Sequence, residues 1–141
     1  MKKSLYAFPV FFSLVFISCA DKITSECSDS DTSTDGLLTA RYSDIQAKVF
    51  TPTCAVTGCH AGSQPQEGLD LSASKAYQNL VNAKSRQKPE LFRVKPGDAA
   101  NSYIINKIAA NDFTVMPPTG RLAAAIIDSV RAWIDQGALD N

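Results

Sequence analysis

The chain has 141 residues, a length typical of one domain. It carries 14 basic and 14 acidic residues, and since Lys2 and Lys3 belong to a leader described below, 12 basic residues remain against 14 acidic ones. The remaining chain is thus slightly acidic and has no basic excess of the kind that indicates nucleic-acid binding, and we expect no nucleic-acid partner.

The N-terminal segment has the pattern of a bacterial export signal. Lys2 and Lys3 precede a nearly unbroken apolar run over residues 5–17, which is too short to stay in a bilayer as a helix. The run ends in Ser18-Cys19 and resembles the lipobox of bacterial lipoproteins, in which the cysteine becomes the lipid-bearing first residue. We expect residues 1–18 to be a lipoprotein-type signal peptide and Cys19 to carry the lipid. An ordinary cleaved signal with an incidental Cys19 is the alternative.

Residues 19–36 are polar and acidic, with few apolar side chains. Such a segment cannot bury enough surface to offset its ordering entropy. We interpret it as a flexible tether that holds a folded domain, residues 37–141, away from a membrane. Cys27 within it is either an intermolecular disulfide partner or a tolerated free thiol.

The domain is predicted to begin with a short helix. Ser43 and Gln46 have the spacing of a capping box, and Ile45 and Val49 lie four residues apart on one helical face. Pro52 is expected to stop the helix. The helix therefore delivers the chain to a cysteine motif.

Residues 54–60 read CAVTGCH. Two thiols followed at once by an imidazole can bond to the two vinyl groups of a haem while presenting His60 to the iron. The usual spacer between the cysteines has two residues, whereas this chain has four, residues 55–58. His60 is the only histidine, and Met116 is the only methionine besides Met1. A His/Met ligand pair is what an electron-transfer haem needs.

Three further helices are predicted, and no convincing strand. They cover residues 72–81, capped by Ser72, then residues 102–109, and finally residues 122–136, where the apolar stripe is clearest. Met116 lies in the loop before the last helix and is followed by Pro117 and Pro118, which restrict that loop. The domain is therefore expected to be all-α, with a large apolar disc of haem at its centre. The expected walls are Val56, Leu69, Leu71, Tyr77, Leu80, Ile105, Phe113 and Val115.

A basic connection joins the second and third helices. It contains Lys84, Arg86, Lys88, Arg93 and Lys95. Three interpretations remain open: a docking patch for an acidic redox partner, counter-charges for haem propionates, and an ordinary solvated loop.

These pieces, taken in order, resemble the class I cytochromes c, most closely the small planctomycete-type cytochrome c-like domains of exported bacterial proteins. The matching segments are CAVTGCH, GLDLS at 68–72, VKPGDAANSYIINKI at 94–108, VMPPTG at 115–120 and WIDQGA at 133–138. The resemblance implies about four short helices around one covalent haem c. It also implies that Cys54 and Cys59 form the thioethers and that His60 and Met116 bind the iron.

The same resemblance implies an electron carrier and not an enzyme. Peroxidase or oxygenase chemistry needs an open coordination position on the iron, which Met116 would fill. We therefore expect one-electron transfer with redox partner proteins at the cell envelope. The lipid on Cys19 would attach the protein to a membrane, facing the periplasm or the cell surface.

Two interpretations from other classes remain open. One is a non-haem exported binding or structural module in which Cys54 and Cys59 form a disulfide. The other is a Cys/His hydrolase or zinc site, although adjacent cysteine and histidine side chains do not face each other, and zinc would lack ligands unless carboxylates completed the site.

Overall fold

The structure, a computed structural model, describes residues 38–112 and 114–141. The expected signal peptide and tether, with Cys19 and Cys27, lie outside these residues, as does Phe113. The described residues form four α-helices, a π-helix that continues the first of them and a single 3-10 turn at Gln66–Gly68. Loops with a few isolated bridge pairs join these elements, and the described residues contain no strand. The predicted all-α class is confirmed.

The first helix, α1, covers Tyr42–Ile45 and continues directly as a π-helix over Gln46–Cys54. The expected stop at Pro52 is wrong, because this proline lies inside the π-helix. In an α-helix a proline ring clashes with the carbonyl four residues earlier, whereas a wider turn bonded five residues back gives the ring more room. The backbone N–H of Ala55 makes such a bond with the Phe50 carbonyl, at 2.7 Å. The widened helix therefore extends to the first cysteine of the motif.

The start of α1 is capped by the far end of the chain. The N–H groups of Tyr42 and Ser43 donate to the side-chain and backbone oxygens of Asn141, at 2.9 and 2.8 Å. The predicted capping box is wrong, because the N-cap residue is Arg41 and its side chain makes no cap bond. The first N–H groups of a helix have no acceptor within the helix and need one elsewhere. Here the acceptor residue lies 99 positions after Tyr42 in the sequence.

The remaining helices are α2 (Ala76–Leu80), α3 (Tyr103–Ile108) and α4 (Ala124–Asp135). Helices α3 and α4 lie within the predicted ranges 102–109 and 122–136, since each buries one apolar stripe. Helix α2 is shorter than predicted, because Ser72 does not cap it. Instead, the Ser72 N–H and hydroxyl both donate to the Asp70 carboxylate, at 3.0 and 2.6 Å, and make a turn ahead of the helix.

Helix α4 packs against both α1 and α3. Three aromatic rings pack beside the contact with α1: the Tyr42 ring centroid is 5.1 Å from that of Tyr77 and 5.4 Å from that of Trp133. The Tyr77 hydroxyl and the Trp133 indole N–H donate to the carbonyls of Ala138 and Leu139, at 2.9 and 2.8 Å. The polar atoms of these rings are thus satisfied, and the chain after α4 is fixed to the core.

None of the helices in residues 38–112 and 114–141 has the length and apolar character needed to cross a bilayer.

Candidate functional site

A cavity of about 390 Å³ lies among the helices. The π-helix that continues α1 and helices α2, α3 and α4 contribute to it, and the loops complete its lining. The apolar side chains that line it are Val49, Phe50, Leu69, Leu71, Leu80, Ile104, Ile108, Leu122 and Val130. A concave, mostly apolar site of this size is the kind that holds a small molecule or a cofactor.

The four side chains predicted to hold a cofactor, Cys54, Cys59, His60 and Met116, all line this one cavity. Of the expected walls, Leu69, Leu71 and Leu80 line it as well. Val56 does not, because it points to solvent with 46% of its surface exposed. The other described members of that set, Tyr77, Ile105 and Val115, are also absent from the lining.

His60 is held by three hydrogen bonds. Its ring Nδ1 lies 3.2 Å from the Leu69 carbonyl oxygen. A carbonyl only accepts, so Nδ1 is the donor in this bond, and in the neutral ring Nε2 is the nitrogen whose lone pair could bind a metal. The His60 N–H donates to the Cys54 carbonyl at 3.2 Å, and the Leu71 N–H donates to the His60 carbonyl at 2.7 Å. This is the arrangement of a metal-binding histidine whose second nitrogen fixes the ring.

The four-residue spacer between the cysteines bulges outward. The His60 N–H donates to the Cys54 carbonyl, six residues earlier in the chain. In a motif with a two-residue spacer, the same two groups would be four residues apart, which is the separation of an α-helical hydrogen bond. The two extra residues are absorbed by the loop, in which Val56 is exposed and Gly58 has a φ of +86°. A glycine suits that backbone because other residues are strained there. The longer spacer thus leaves both cysteines beside the cavity.

Both cysteines are free thiols in the structure. Cys59 is exposed and Cys54 is partly buried. Burial raises the pKa of the Cys54 thiol to about 11, and the neighbouring Cys59 acts in the same direction. The Cys54 thiol is therefore protonated at neutral pH.

Met116 lies in the loop between α3 and α4, half-buried at the cavity. Its N–H donates to the carbonyl of Lys107, at 2.9 Å, so the loop is fixed to the end of α3. Pro117 and Pro118 follow it in the cavity lining. The thioether is a soft ligand atom of the kind that binds iron in cytochromes.

The charged side chains that line the cavity are mainly basic: Arg86, Arg93 and Lys107, against Glu67. Only two members of the basic connection are among them. Lys95 instead pairs with Asp98 at 2.7 Å, and Lys84 lies 3.9 Å above the centre of the Phe92 ring. The sequence alone did not distinguish the two arginines from the other basic residues.

The donor set fits a haem better than a bare metal ion. Within residues 38–112 and 114–141, no group of three or more His, Cys, Asp or Glu side chains could hold a metal ion. Zinc requires such a group, since its protein sites use three or four side chains. A haem brings four nitrogen ligands with its iron and asks the protein for two more. One imidazole, one thioether and two thiols around an apolar cavity meet that requirement.

A buried carboxylate fixes the segment that supports His60. Asp70 accepts from Ser72 and from Lys75, whose Nζ lies 2.9 Å away, and these hydrogen bonds lower the pKa of Asp70 to about 2. Asp70 lies between Leu69, whose carbonyl bonds the His60 ring, and Leu71, whose N–H bonds the His60 carbonyl. The turn made by Asp70 therefore positions both of these backbone groups.

We expect Asp70→Asn to reduce stability at pH 7. The pKa of Asp70 in the folded protein is below the ordinary value of 3.8, so the carboxylate stabilises the fold fully above that pH and ceases to do so as the pH falls through about 2. The difference between variant and wild type should therefore shrink below pH 4. Urea unfolding followed by circular dichroism at several pH values measures this, with the exposed Asp128→Asn as control. A difference that stays constant with pH would contradict it.

Comparison with known families adds an independent finding. Residues 57–120 match the family model described as Planctomycete cytochrome C. The matched segment contains Cys59, His60 and Met116 and begins after Cys54. No curated protein and no solved structure matches the chain.

Proposed function

From the planctomycete-type cytochrome c domain that this chain carries, with haem c as its cofactor, we propose that the protein transfers single electrons between redox partner proteins at the cell envelope. The observation that carries the proposal is the convergence of Cys54, Cys59, His60 and Met116 on one apolar cavity. His60 Nε2 and the Met116 thioether would bind its one iron.

The bound haem supplies one-electron exchange between ferric and ferrous iron. The electron would come from a reduced partner and go to an oxidised one, with no bond or proton moved. The chain tunes this exchange. The neutral thioether of Met116 and the exclusion of water by Leu71, Leu80 and Ile108 both favour the ferrous state and raise the reduction potential.

Cys54 and Cys59 would hold the cofactor covalently. Each thiol would add across one vinyl group, with its sulfur bonded to one vinyl carbon and its hydrogen to the other, so that nothing is oxidised. The outward bulge of the spacer supports a thioether at both positions, because it leaves Cys54 at the cavity despite the two extra residues.

The protein would act as a carrier, in keeping with a cytochrome c domain, because Met116 would fill the coordination position that an oxygen- or peroxide-using enzyme keeps open. It also includes export and attachment to a membrane through lipid on Cys19, which the leader sequence supports.

The test is a reduced pyridine haemochrome spectrum of protein made in a host that matures c-type cytochromes, with mass spectrometry after acid-acetone extraction. We expect a chromophore that survives extraction, a mass increased by one haem, and a reversible one-electron titration. A colourless protein lighter by two hydrogens would instead establish a Cys54–Cys59 disulfide and the alternative function, an exported non-haem binding or structural module.

A further inference from the structure

Arg93 is a buried cation at the cavity, with only 8% of its surface exposed. Its guanidinium donates to the carbonyl oxygens of Asn79 and Glu67, at 2.9 and 2.8 Å. A guanidinium has five N–H donors, so these two bonds fix its position and leave others for a further acceptor. Among the residues that the structure describes, no carboxylate lies within ion-pair distance of it.

A second guanidinium lies close to the first. Arg86 also lines the cavity, and it packs against the backbone at Gly68, where a Cβ atom would come within 2.5 Å of the Arg86 Cζ. Burial lowers the pKa of Arg93, and the positive charge of Arg86 lowers it further, while Glu67 opposes them. Arg93 is buried and Arg86 is exposed. A buried cation with a second cation beside it is unfavourable unless an anion joins them.

We propose that Arg93 and Arg86 bind the propionate carboxylates of the haem. The inference rests on the proposed function, and it assigns an orientation to the cofactor. The propionates are the ionised groups on the edge of a haem, and the guanidinium fork matches a carboxylate in two parallel hydrogen bonds. The propionate edge therefore lies at the arginine end of the cavity, and the apolar ring packs among the leucines, isoleucines and valines.

This pairing has an electrostatic consequence for the iron. Ionised propionates favour the ferric state, because it carries one more positive charge than the ferrous state. Arginines that neutralise the carboxylates remove part of this preference, and they raise the reduction potential. Loss of either arginine should lower it.

The experiment measures the midpoint potentials of haem-loaded Arg86→Gln, Arg93→Gln and Arg93→Lys, with Lys88→Gln as the matched control. Lys88 lies in the same segment and is exposed, and it does not line the cavity. We expect a downward shift in Arg86→Gln and Arg93→Gln, a smaller shift in Arg93→Lys because the charge is kept, and no shift in Lys88→Gln.

Should Arg93→Gln fail to fold because it loses its bonds to Asn79 and Glu67, Arg86→Gln decides the question, since the Arg86 side chain makes no hydrogen bond with the described residues. Wild-type potentials in the arginine variants, or an equal shift in Lys88→Gln, would overturn the inference while the haem remains in place. A wild-type protein without haem would overturn the proposed function itself.

Discussion

Replacing Met116 by alanine is expected to lower the midpoint potential by on the order of 0.1 V, a fraction of the roughly 0.8 V over which haem surroundings set potentials. The thioether is a soft ligand that favours ferrous iron, and alanine has no atom to replace it. The vacated position would then admit water or an added ligand. This variant isolates the second ligand because Met116 lies in a loop and outside the helical core.

Redox titration gives the potential, and the absorbance spectrum of the ferric protein, with and without added imidazole, reports the open position. Pro118→Ala is the matched control, because Pro118 lines the same cavity and offers no ligand atom. An unchanged spectrum and potential in Met116→Ala would remove Met116 from its proposed role.

Replacing Cys54 by alanine is expected to leave a haem attached through one thioether. Each thioether saturates one vinyl group and shortens the conjugated system. The reduced pyridine haemochrome band of Cys54→Ala should therefore lie at longer wavelength than that of the wild type. Cys59→Ala should show the same band shift. The double variant should lose its colour on acid-acetone extraction.

The single variants answer the question that the four-residue spacer raises. A Cys54→Ala band at the wild-type position would mean that Cys54 carries no thioether and that Cys59 alone holds the haem. Cys54→Ser serves as a second variant of nearly the wild-type volume, because Cys54 is partly buried and alanine leaves a small void there.

The parts of the fold that depend on local periodicity were predictable. Ile105 and Ile108 in α3, and Val130 and Trp133 in α4, repeat at helical spacing and are all buried. Pro52 misled the prediction of α1, because the local rule assumes an α-helix and the chain forms a wider one. The sequence around α1 could not predict its cap, since the acceptor, Asn141, lies at the other end of the chain.

At the site, too, some features were predictable from the sequence and others depend on residues far apart in the chain. His60 and Met116 stood out because each was the only candidate of its type in the domain, and the structure places both at the cavity. The support for His60 was not predictable, since its acceptor is the backbone carbonyl of Leu69 and any residue type could supply one. Arg93 could not be told from Lys88 or Lys95 either. Its burial depends on carbonyls of two distant segments, at Asn79 and Glu67.

The bulged spacer bears on how covalent haem sites are defined. In this chain, one backbone bond from the histidine amide to the first cysteine carbonyl closes the motif, and Val56 and Thr57 between the cysteines are exposed. A site defined by this hydrogen bond can have spacers of different lengths between its cysteines, provided that a residue such as Gly58 permits the turn. A pattern that fixes two residues between the cysteines would pass over such chains, although their thiols lie at the cavity. The number of residues between the cysteines is then a property of a surface loop.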